Sequence, residues 1–329
     1  MSIHAAPAVD LGSYSPLLGC ACSDYLFEHT ARMRHRVCTG EQGIGAAQYH
    51  ARALDGLIGS LFCAATGAMV ARGKGQSQGV VLLAAGGYGR GLVGLHSAAE
   101  VLFLCGKTAD EAIVALAAST LAPLTTMGLR IGYAVRAVDD VIQQGLRDIG
   151  RAANLLDLRC LAGDRDLASR LLRRARETIF TPHRAQFIRL LRNETVLRHE
   201  RYGGSAYLRE PELNLSRGGL RDLDVISWVL QTRGSDLGLA HGEAERRMLG
   251  KGTSAALSGA REHLWRARNL LHLRAGRRQD RLTSEEQPEI ARMLGYPEAK
   301  LGVERFVREH SLHAATVAAA IDRLWERAR

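Results

Sequence analysis

The chain of 329 residues has few aromatic side chains and few lysines. Aromatic residues make up only 5% of the chain, so its core must consist mainly of leucine, alanine, valine and isoleucine. Modules that bind single-stranded nucleic acids use aromatic side chains on which bases stack, and this composition offers few of them. Apolar residues still make up 46%, which excludes a largely disordered chain. We therefore expect one large or two ordinary folded domains and no nucleic-acid partner.

The scarcity of lysine makes the positive charge of the chain almost entirely guanidinium. Lysine and arginine together number 44 against 34 acidic residues, which gives a formal net charge of +10. The lysines are Lys74, Lys107, Lys251 and Lys300. A genome rich in G and C would encode so much arginine easily, and affinity for phosphate would also favour it, because arginine binds phosphate bidentately. We favour the genomic explanation for the total charge.

The usual patterns of a zinc site are also missing. The six cysteines show no metal-site spacing, and neither HExxH nor CxxC occurs. The sequence therefore predicts no zinc site, and we interpret His199 and His263 as solvated or helix-capping groups. The segment MSIHAAPAVDLG does not resemble a signal peptide, and the longest uncharged run, 56–71, has 16 residues, which is short for a membrane span. We expect a cytoplasmic protein with reduced thiols and no membrane partner.

Hydrophobic patterning divides the chain near residue 145. Residues 1–22 are rich in Pro, Gly and Ser and are predicted to form a flexible arm, and 23–72 to form helices with a break near Gly40. Apolar runs at 80–85, 101–105 and 129–138 predict three strands, with a helix over 109–127 whose expected N-cap is Thr108. After residue 140 the pattern is helical. The predicted fold is an α/β (α+β) domain with a small mixed sheet over 23–145, followed by an all-helical domain over 146–329.

A glycine-rich turn separates the first two predicted strands, in the stretch VVLLAAGGYGRGLVGLHSAAEVLFLC at 80–105. The turn contains GxGxxG at 89–94, but a dinucleotide-binding turn must open into a long helix, and here the next strand follows after about six residues. A nucleotidyltransferase places such a turn after its first strand, with a serine on the same segment. Two acids at i and i+2 then begin the second strand and face the same side. Those acids hold two divalent ions, which align the attacking hydroxyl and neutralise the leaving pyrophosphate.

Five separated motifs in one order carry a more specific resemblance. They are GGYGRG followed by HS (86–97), GLRIGYAVRAVDD (128–140), NLLDLRCLAGDRDL (154–167), YGGSAYLREPELNLSRGGLRDLDVISWV (202–229) and LLHLRAGRRQDRLTSEEQPEIARMLGY (270–296). Over roughly residues 50–329, the chain resembles the bacterial PII uridylyltransferase/uridylyl-removing enzyme family. Several motifs in the right order are far more specific than a single glycine turn.

The resemblance implies a fold, a reaction and a set of site residues. The fold would be a nucleotidyltransferase-type domain joined to the helical linker region of that family. The reaction would be the transfer of UMP from UTP to the PII regulatory protein, with Mg²⁺ as cofactor. The implied nucleotide-binding residues are Gly86, Gly87, Tyr88, Gly89, Arg90 and Ser97. The most recognisable helical motif contains Glu210, Gly218, Gly219, Arg221 and Asp222, which we interpret as interdomain or helix-end contacts.

The departures from the family pattern fall on the metal ligands. The paired aspartates of the family, in Ser-Asp-x-Asp, align with Ser97-Ala98-Ala99-Glu100. The methyl group of Ala98 cannot bind a cation, and Glu100 is the remnant of the catalytic acid pair, able to hold one ion loosely but not two in fixed geometry. Candidates for a third carboxylate are Asp139, Asp140 and Asp157. Without these ligands, phosphoryl transfer loses the charge neutralisation on which it depends.

Two functions therefore remain open at the level of sequence. The chain either transfers UMP slowly with Glu100 and a further acid, or is a pseudoenzyme that binds PII or a nucleotide and regulates without catalysis. We favour the second because of Ala98. The glycines would persist in either case if the turn needs positive φ angles. Family members also carry an HD hydrolase domain and ACT domains, and since no His-Asp dipeptide occurs here, we expect neither uridylyl removal nor glutamine sensing in this polypeptide.

Overall fold

The computed structural model describes residues 16–40, 43–71, 79–106, 110–237, 241–298 and 300–327. The described chain forms two compact units. The first contains the residues up to Arg32 together with 48–93 and 97–179, and the second contains 33–47, 94–96 and 180–327. The predicted boundary at 145 differs from this division at 179/180, because a fourth strand and the helix after it also belong to the first unit.

Helices dominate both units. The helices are α1 (Pro16–Cys38), α2 (Gly43–Ala71), α3 (Gly86–Gly89), α4 (Glu111–Thr126), α5 (Val138–Arg147), α6 (Ile149–Leu156), α7 (Arg165–Ala175), α8 (Arg184–Tyr202), α9 (Leu220–Leu237), α10 (His241–Leu249), α11 (Lys251–Ala275), α12 (Gln287–Met293) and α13 (Lys300–Arg327), with a π-helical turn at Arg176–Phe180. The predicted break near Gly40 is confirmed, and its φ is +78°. The prediction that a flexible arm extends to residue 22 is wrong for its last residues, because α1 begins at Pro16. Residues 1–15 lie outside the described residues.

The first unit is built on a mixed four-stranded sheet in the order β3-β2-β1-β4, with β1 at Val80–Ala85, β2 at Ala99–Cys105, β3 at Ile131–Ala137 and β4 at Arg159–Gly163. Strand β1 is antiparallel to β2 and β4, and β2 is parallel to β3. The three predicted strands are confirmed. The helical prediction for 159–163 is wrong: this short segment has no clear periodicity, and its pairing with β1 makes it a strand.

The sheet is covered on one face by long helices. Leu82 of β1 and Phe103 of β2 are fully buried and share a core with Leu54 and Ile58 of α2 and with Leu121 of α4. This explains why β1 and β2 have almost continuously apolar sequences, as strands buried on both faces do. The glycine turn at 86–94 therefore connects two strands that are both packed in the core.

The N-cap of α4 differs from the predicted one. It is Asp110, whose carboxylate accepts a hydrogen bond from the Ile113 amide at 2.9 Å. The predicted cap, Thr108, lies outside the described residues.

Helix α2 is long and apolar enough to cross a membrane, by length and composition, and a third of its apolar window is buried in the structure. The buried face of α2 contributes to the core of the first unit, as core helices of similar composition do.

The second unit is a helical assembly in which α11 and α13 pack against each other. The last helix has an apolar face that is buried, with Phe306, Val317, Ile321 and Leu324. Trp228 of α9 is also fully buried, and the guanidinium of Arg221 lies 4.5 Å from the centre of its ring. All three tryptophans of the chain lie between residues 180 and 329. Tryptophan fluorescence therefore reports on the second unit alone.

Candidate functional site

The glycine turn follows β1 directly and begins with the one-turn helix α3. Its backbone amides hydrogen-bond within the turn: Arg90 N donates to Gly86 O at 3.1 Å, Gly91 N to Tyr88 O at 2.9 Å and Leu92 N to Gly87 O at 2.9 Å. A turn that cradles phosphate must direct backbone N–H groups at the ligand. In this conformation, three of these groups are already used inside the turn.

Close packing and backbone conformation account for two of the glycines without any ligand. A Cβ atom on Gly89 would lie 1.9 Å from the carbonyl oxygen of Asp157, a distance that no real contact allows. Gly91 has a φ of +74°, in the left-handed region that L side chains avoid, and no neighbouring atom restricts it. The fold therefore requires glycine at both positions, whether or not the turn binds a nucleotide.

Two side chains with a predicted role in nucleotide binding point into the interior of the first unit. The Arg90 guanidinium pairs with the carboxylate of Asp157, which is fully buried. Tyr88 is buried as well, and burial, together with the nearby charge of Asp55, raises its pKa. Arg90 thus neutralises a buried carboxylate, and breaking such a buried pair is costly.

An arginine that the sequence analysis did not single out binds the backbone of the glycine turn. Arg159 of β4 binds both carboxylate oxygens of Asp55, at 2.7 and 3.0 Å. It also donates to the carbonyl oxygens of Tyr88 and Gly89, each at 3.1 Å. One guanidinium thus connects α2, β4 and the glycine turn. No pattern in the sequence indicated it, because these partners are far apart along the chain.

The remnant acid Glu100 lies beside the start of the turn. It is exposed in β2, where it pairs with Ala85 of β1 and Gly132 of β3. Its Oε2 atom lies 3.3 Å from the position that a Cβ on Gly86 would occupy, and the Oδ1 atom of Asn154 lies 3.8 Å from that same position. Glu100 and Asn154 thus both border Gly86.

The other candidate ligands do not complete a metal site. Ala98 is exposed two residues before Glu100. Of the candidate third carboxylates, Asp157 is buried against Arg90, and Asp139 pairs with Arg174 at 2.5 Å. In the part of the chain that the structure describes, Glu100 belongs to no group of three side chains whose ligand atoms converge. The residues present therefore do not fit the pair of Mg²⁺ ions that the resemblance implied, since such a pair needs several converging carboxylates.

The hydroxyl of Ser97 lies on the segment that joins the glycine turn to β2. It is buried and has no hydrogen-bond partner among the described residues. A buried hydroxyl without a partner costs free energy, which a ligand or a local rearrangement would recover. The donor of Ser97 is therefore still available.

In the helical motif, the buried carboxylate of Asp222 organises its surroundings. It accepts hydrogen bonds from Arg198 at 2.6 Å, from His199 at 2.9 Å and from the amide of Gly218 at 2.7 Å. Burial alone would raise the pKa of Asp222, but the bond from His199 and the charge of Arg198 outweigh it and lower the pKa. His199 is thus buried and paired, and its prediction as a solvated or capping group is wrong.

The other residues of this motif also have structural contacts within the second unit. Glu210 accepts from the Ser284 amide at 2.9 Å and from Arg281 at 3.2 Å, and the bond from Ser284 is the main cause of its lowered pKa. A Cβ atom on Gly218 would lie 2.2 Å from the carbonyl oxygen of Ala314, and one on Gly219 would lie 2.8 Å from that of Leu213. Arg221 pairs with Asp224 at 3.7 Å. Arg221 and Asp222 thus form separate helix-end ion pairs, and an interdomain role stays a prediction.

A second buried carboxylate, Asp280, ties the same motif to the segment after α11. It accepts from Arg268 at 2.7 Å and from His272 at 3.0 Å. Burial would raise its pKa, but the bond from His272 and the charge of Arg268 lower it overall. The backbone of Asp280 accepts from Leu213 N at 2.7 Å, and Leu282 N donates to Pro211 O at 2.9 Å. Two buried acids therefore hold the long irregular segment between α8 and α9.

The structure also brings together a group that the sequence analysis missed. His263 of α11 and Glu309 and His313 of α13 place one ligand atom each within 4.8 Å of one another. The four-residue spacing of Glu309 and His313 on one helix was a signal for this group. The position of His263 was not predictable, because it depends on how α11 packs on α13.

Comparison with known proteins relates this arrangement to one family. A sequence model described as GlnD PII-uridylyltransferase matches residues 186–325. A bifunctional uridylyltransferase/uridylyl-removing enzyme of Pseudomonas putida is 33% identical over 238 residues, which are 72% of this chain and 26% of that protein. The same enzyme of Pseudomonas syringae pv. tomato is 36% identical over 236 residues, 70% of this chain and 26% of the relative. The chain thus matches about a quarter of the length of these curated relatives.

The contact between Gly89 and Asp157 predicts a large effect of a small substitution. Gly89→Ala should lower the stability of the first unit by about 3 kcal/mol or more, because backbone atoms must move apart. The matched variant Gly91→Ala should cost about 1 kcal/mol, because only its φ is unfavourable. Hydrogen exchange of peptides from 80–105 measures both effects, with tryptophan fluorescence as an internal reference for the second unit. Equal protection in the two variants would contradict the packing argument.

The Asp222 cluster predicts a difference between a buried and an exposed ion pair. Asp222→Ala should lower the unfolding free energy of the second unit by about 3–5 kcal/mol, because it removes the close partner of the buried Arg198 and leaves that charge only the longer contact with Glu194 at 3.9 Å. Asp322→Ala removes the more exposed partner of Arg217, a pair 2.6 Å apart, and should cost at most about 1 kcal/mol. Urea unfolding followed by tryptophan fluorescence compares them. Similar losses for both variants would show that the buried cluster contributes no more than a surface pair.

Proposed function

Because residues 186–325 belong to the GlnD PII-uridylyltransferase family, we propose that this chain is a non-catalytic relative of the transferase, one that binds a PII-type regulatory protein in the cytoplasm without transferring UMP. The similarity to bifunctional enzymes extends over about 70% of the chain and supports a shared fold and a shared partner. Loss of the reaction is argued from the site itself.

The observation that carries the proposal is the isolation of Glu100. Ala98 offers no ligand at the position where the family has its first aspartate, and Glu100 belongs to no group of three converging ligand side chains among the described residues. Transfer of a nucleotidyl group requires cations held by several acids, since little else neutralises the charge that develops on the phosphates. A single exposed carboxylate does not supply this electrostatic stabilisation.

The contacts of the glycine turn also favour a non-catalytic function. Arg90 neutralises the buried Asp157, and Arg159 binds the carbonyl oxygens of the turn. These cations stabilise the fold and are not directed at a bound triphosphate. The turn is therefore maintained by internal contacts, as expected for a scaffold whose chemistry is no longer required.

A slow transferase is the second candidate, and one observation favours it. Ser97 retains a buried hydroxyl without a partner, on the same segment as Glu100. That donor could bind a phosphate oxygen if UTP opened the turn. This alternative requires a further acid to approach Glu100 when the nucleotide binds.

Label transfer from radioactive UTP to a purified PII protein distinguishes the two candidates. With Mg²⁺ present, the chain should transfer no label above the level without enzyme, while calorimetry should detect its binding to the PII protein. The matched variant Glu100→Gln should bind PII equally well, because Glu100 is assigned no role in that contact. Label transfer that Glu100→Gln abolishes would replace the proposal by the slow transferase. Absence of any binding to PII would refute the proposed partner.

Restoring the acids tests whether the scaffold itself is intact. Ala98→Asp combined with Glu100→Asp should create binding of UTP that depends on Mg²⁺, because two carboxylates on one face of β2 can then share the cation. The single variant Ala98→Asp, in which the longer Glu100 remains, should gain less. Calorimetric titration of UTP with and without Mg²⁺ measures both variants. If the double variant binds no better than the unmodified chain, the turn has lost the nucleotide cradle as well as the acids.

A further inference from the structure

Three potential metal ligands converge between two helices of the second unit. His263 lies on α11, and Glu309 and His313 lie one helical turn apart on α13. Their ligand atoms are all within 4.8 Å of one another. His313 Nε2 is 3.7 Å from Glu309 Oε1, and the rings of His263 and His313 are 4.5 Å apart between their centres. This is the only such group in the described part of the chain.

His263 has an unused ligand atom. Its Nε2 is buried and has no hydrogen-bond partner among the described residues. The rings of His310 and His313 lie beside the His263 ring, at 5.5 and 4.5 Å between ring centres. A cation here would satisfy a polar atom that the fold otherwise leaves without a partner.

The carboxylate of Glu309 is oriented by a neighbouring residue. The hydroxyl of Tyr296 donates to Glu309 Oε2, while Oε1 is the oxygen closer to His313. Carboxylates that bind metals are commonly held by such hydrogen bonds, which restrict the rotation of the ligand. Tyr296 thus directs one oxygen of Glu309 to the other two ligand atoms.

A cavity adjoins two of the three ligands, His263 and Glu309, and leaves room for a fourth. It has a volume of about 230 Å³ and is lined by His263, Arg266, Leu294, Gly295, Tyr296 and Glu309. A water molecule or a small anion fits this space. Arg266 places a positive charge at the cavity, which opposes a bare cation and favours a negatively charged fourth ligand.

We propose that His263, Glu309 and His313 bind one Zn²⁺ ion, with water or a small anion in the adjoining cavity as the fourth ligand. Two histidines and one carboxylate are a common set of protein ligands for zinc. Bonds of about 2.1 Å in tetrahedral geometry place ligand atoms about 3.4 Å apart, so the Glu309–His313 pair, at 3.7 Å, needs only a small adjustment. The ion links α11 to α13. Mg²⁺, which prefers oxygen ligands, is not expected to bind here.

The test uses the full chain without a histidine tag, after treatment with a chelator. Calorimetric titration with ZnCl₂ should show one ion per chain, and titration with MgCl₂ should show no binding at this site. Bound Co²⁺ should give the strong visible absorption of a four-coordinate site. Neither measurement involves UTP or PII, so failure here is independent of failure of the proposed function.

Matched variants assign the ion to these residues. His313→Gln and Glu309→Gln should each weaken Zn²⁺ binding at least about 100-fold, and Tyr296→Phe should weaken it about 10- to 100-fold. His183→Gln, which replaces an exposed histidine without a side-chain cap bond at the start of α8, should leave the affinity unchanged. Circular dichroism and tryptophan fluorescence of each variant, before zinc is added, check that the second unit is folded.

Two results would overturn the proposal. If His313→Gln and Glu309→Gln are folded and bind Zn²⁺ as tightly as the unmodified chain, the binding reflects an adventitious ion only. If the unmodified chain binds no Zn²⁺ at concentrations that saturate ordinary zinc proteins, the group is a neutral histidine cluster without a metal. A graded loss, smaller for Tyr296→Phe than for the two ligand variants, supports the site as described.

Discussion

The contact between Gly89 and the carbonyl of Asp157 is the constraint on which the functional region of the first unit depends. It leaves no room for a side chain at Gly89, and Arg90, the next residue, pairs with the buried carboxylate of Asp157. Two residues after Asp157, Arg159 binds the carbonyl oxygens of the same turn. The turn, the start of β4 and the end of β1 therefore form one packed element that is held by contacts within the chain.

The features of this region that stabilise the fold differ from those that would hold a cation. Glycines, buried strands and the pair of Arg90 with Asp157 stabilise the folded chain. Acids that converge on a cation repel one another and lower stability when no cation is bound. Ala98 is exposed and adds no such repulsion, and Glu100 is accommodated because its neighbours Gly86 and Gly132 have no side chains.

In the second unit, buried ion pairs connect segments that are far apart along the chain, as close packing does in the first unit. Asp222 and Asp280 each pair with an arginine and a histidine, and between them they hold the irregular segment that precedes α9. The group of His263, Glu309 and His313 lies elsewhere in the same unit and is not part of these clusters. It has unsatisfied binding capacity, whereas the carboxylates of Asp222 and Asp280 are already paired, and so it is the group suited to a ligand.

The sequence by itself determined the three apolar strands, the break at Gly40, the apolar face of α13 and the absence of a carboxylate at Ala98. Each of these follows from residues close together along the chain, where periodicity, backbone preference and ligand chemistry can be read directly. Only the tertiary structure decided that 159–163 is a strand and that Arg90 pairs with Asp157. It also decided that His199 is buried against Asp222 and that His263 lies close to Glu309 and His313. These pairs are separated by 67 residues for Arg90 and Asp157 and by 23 for His199 and Asp222, and such contacts are set by packing between elements, which no local pattern records.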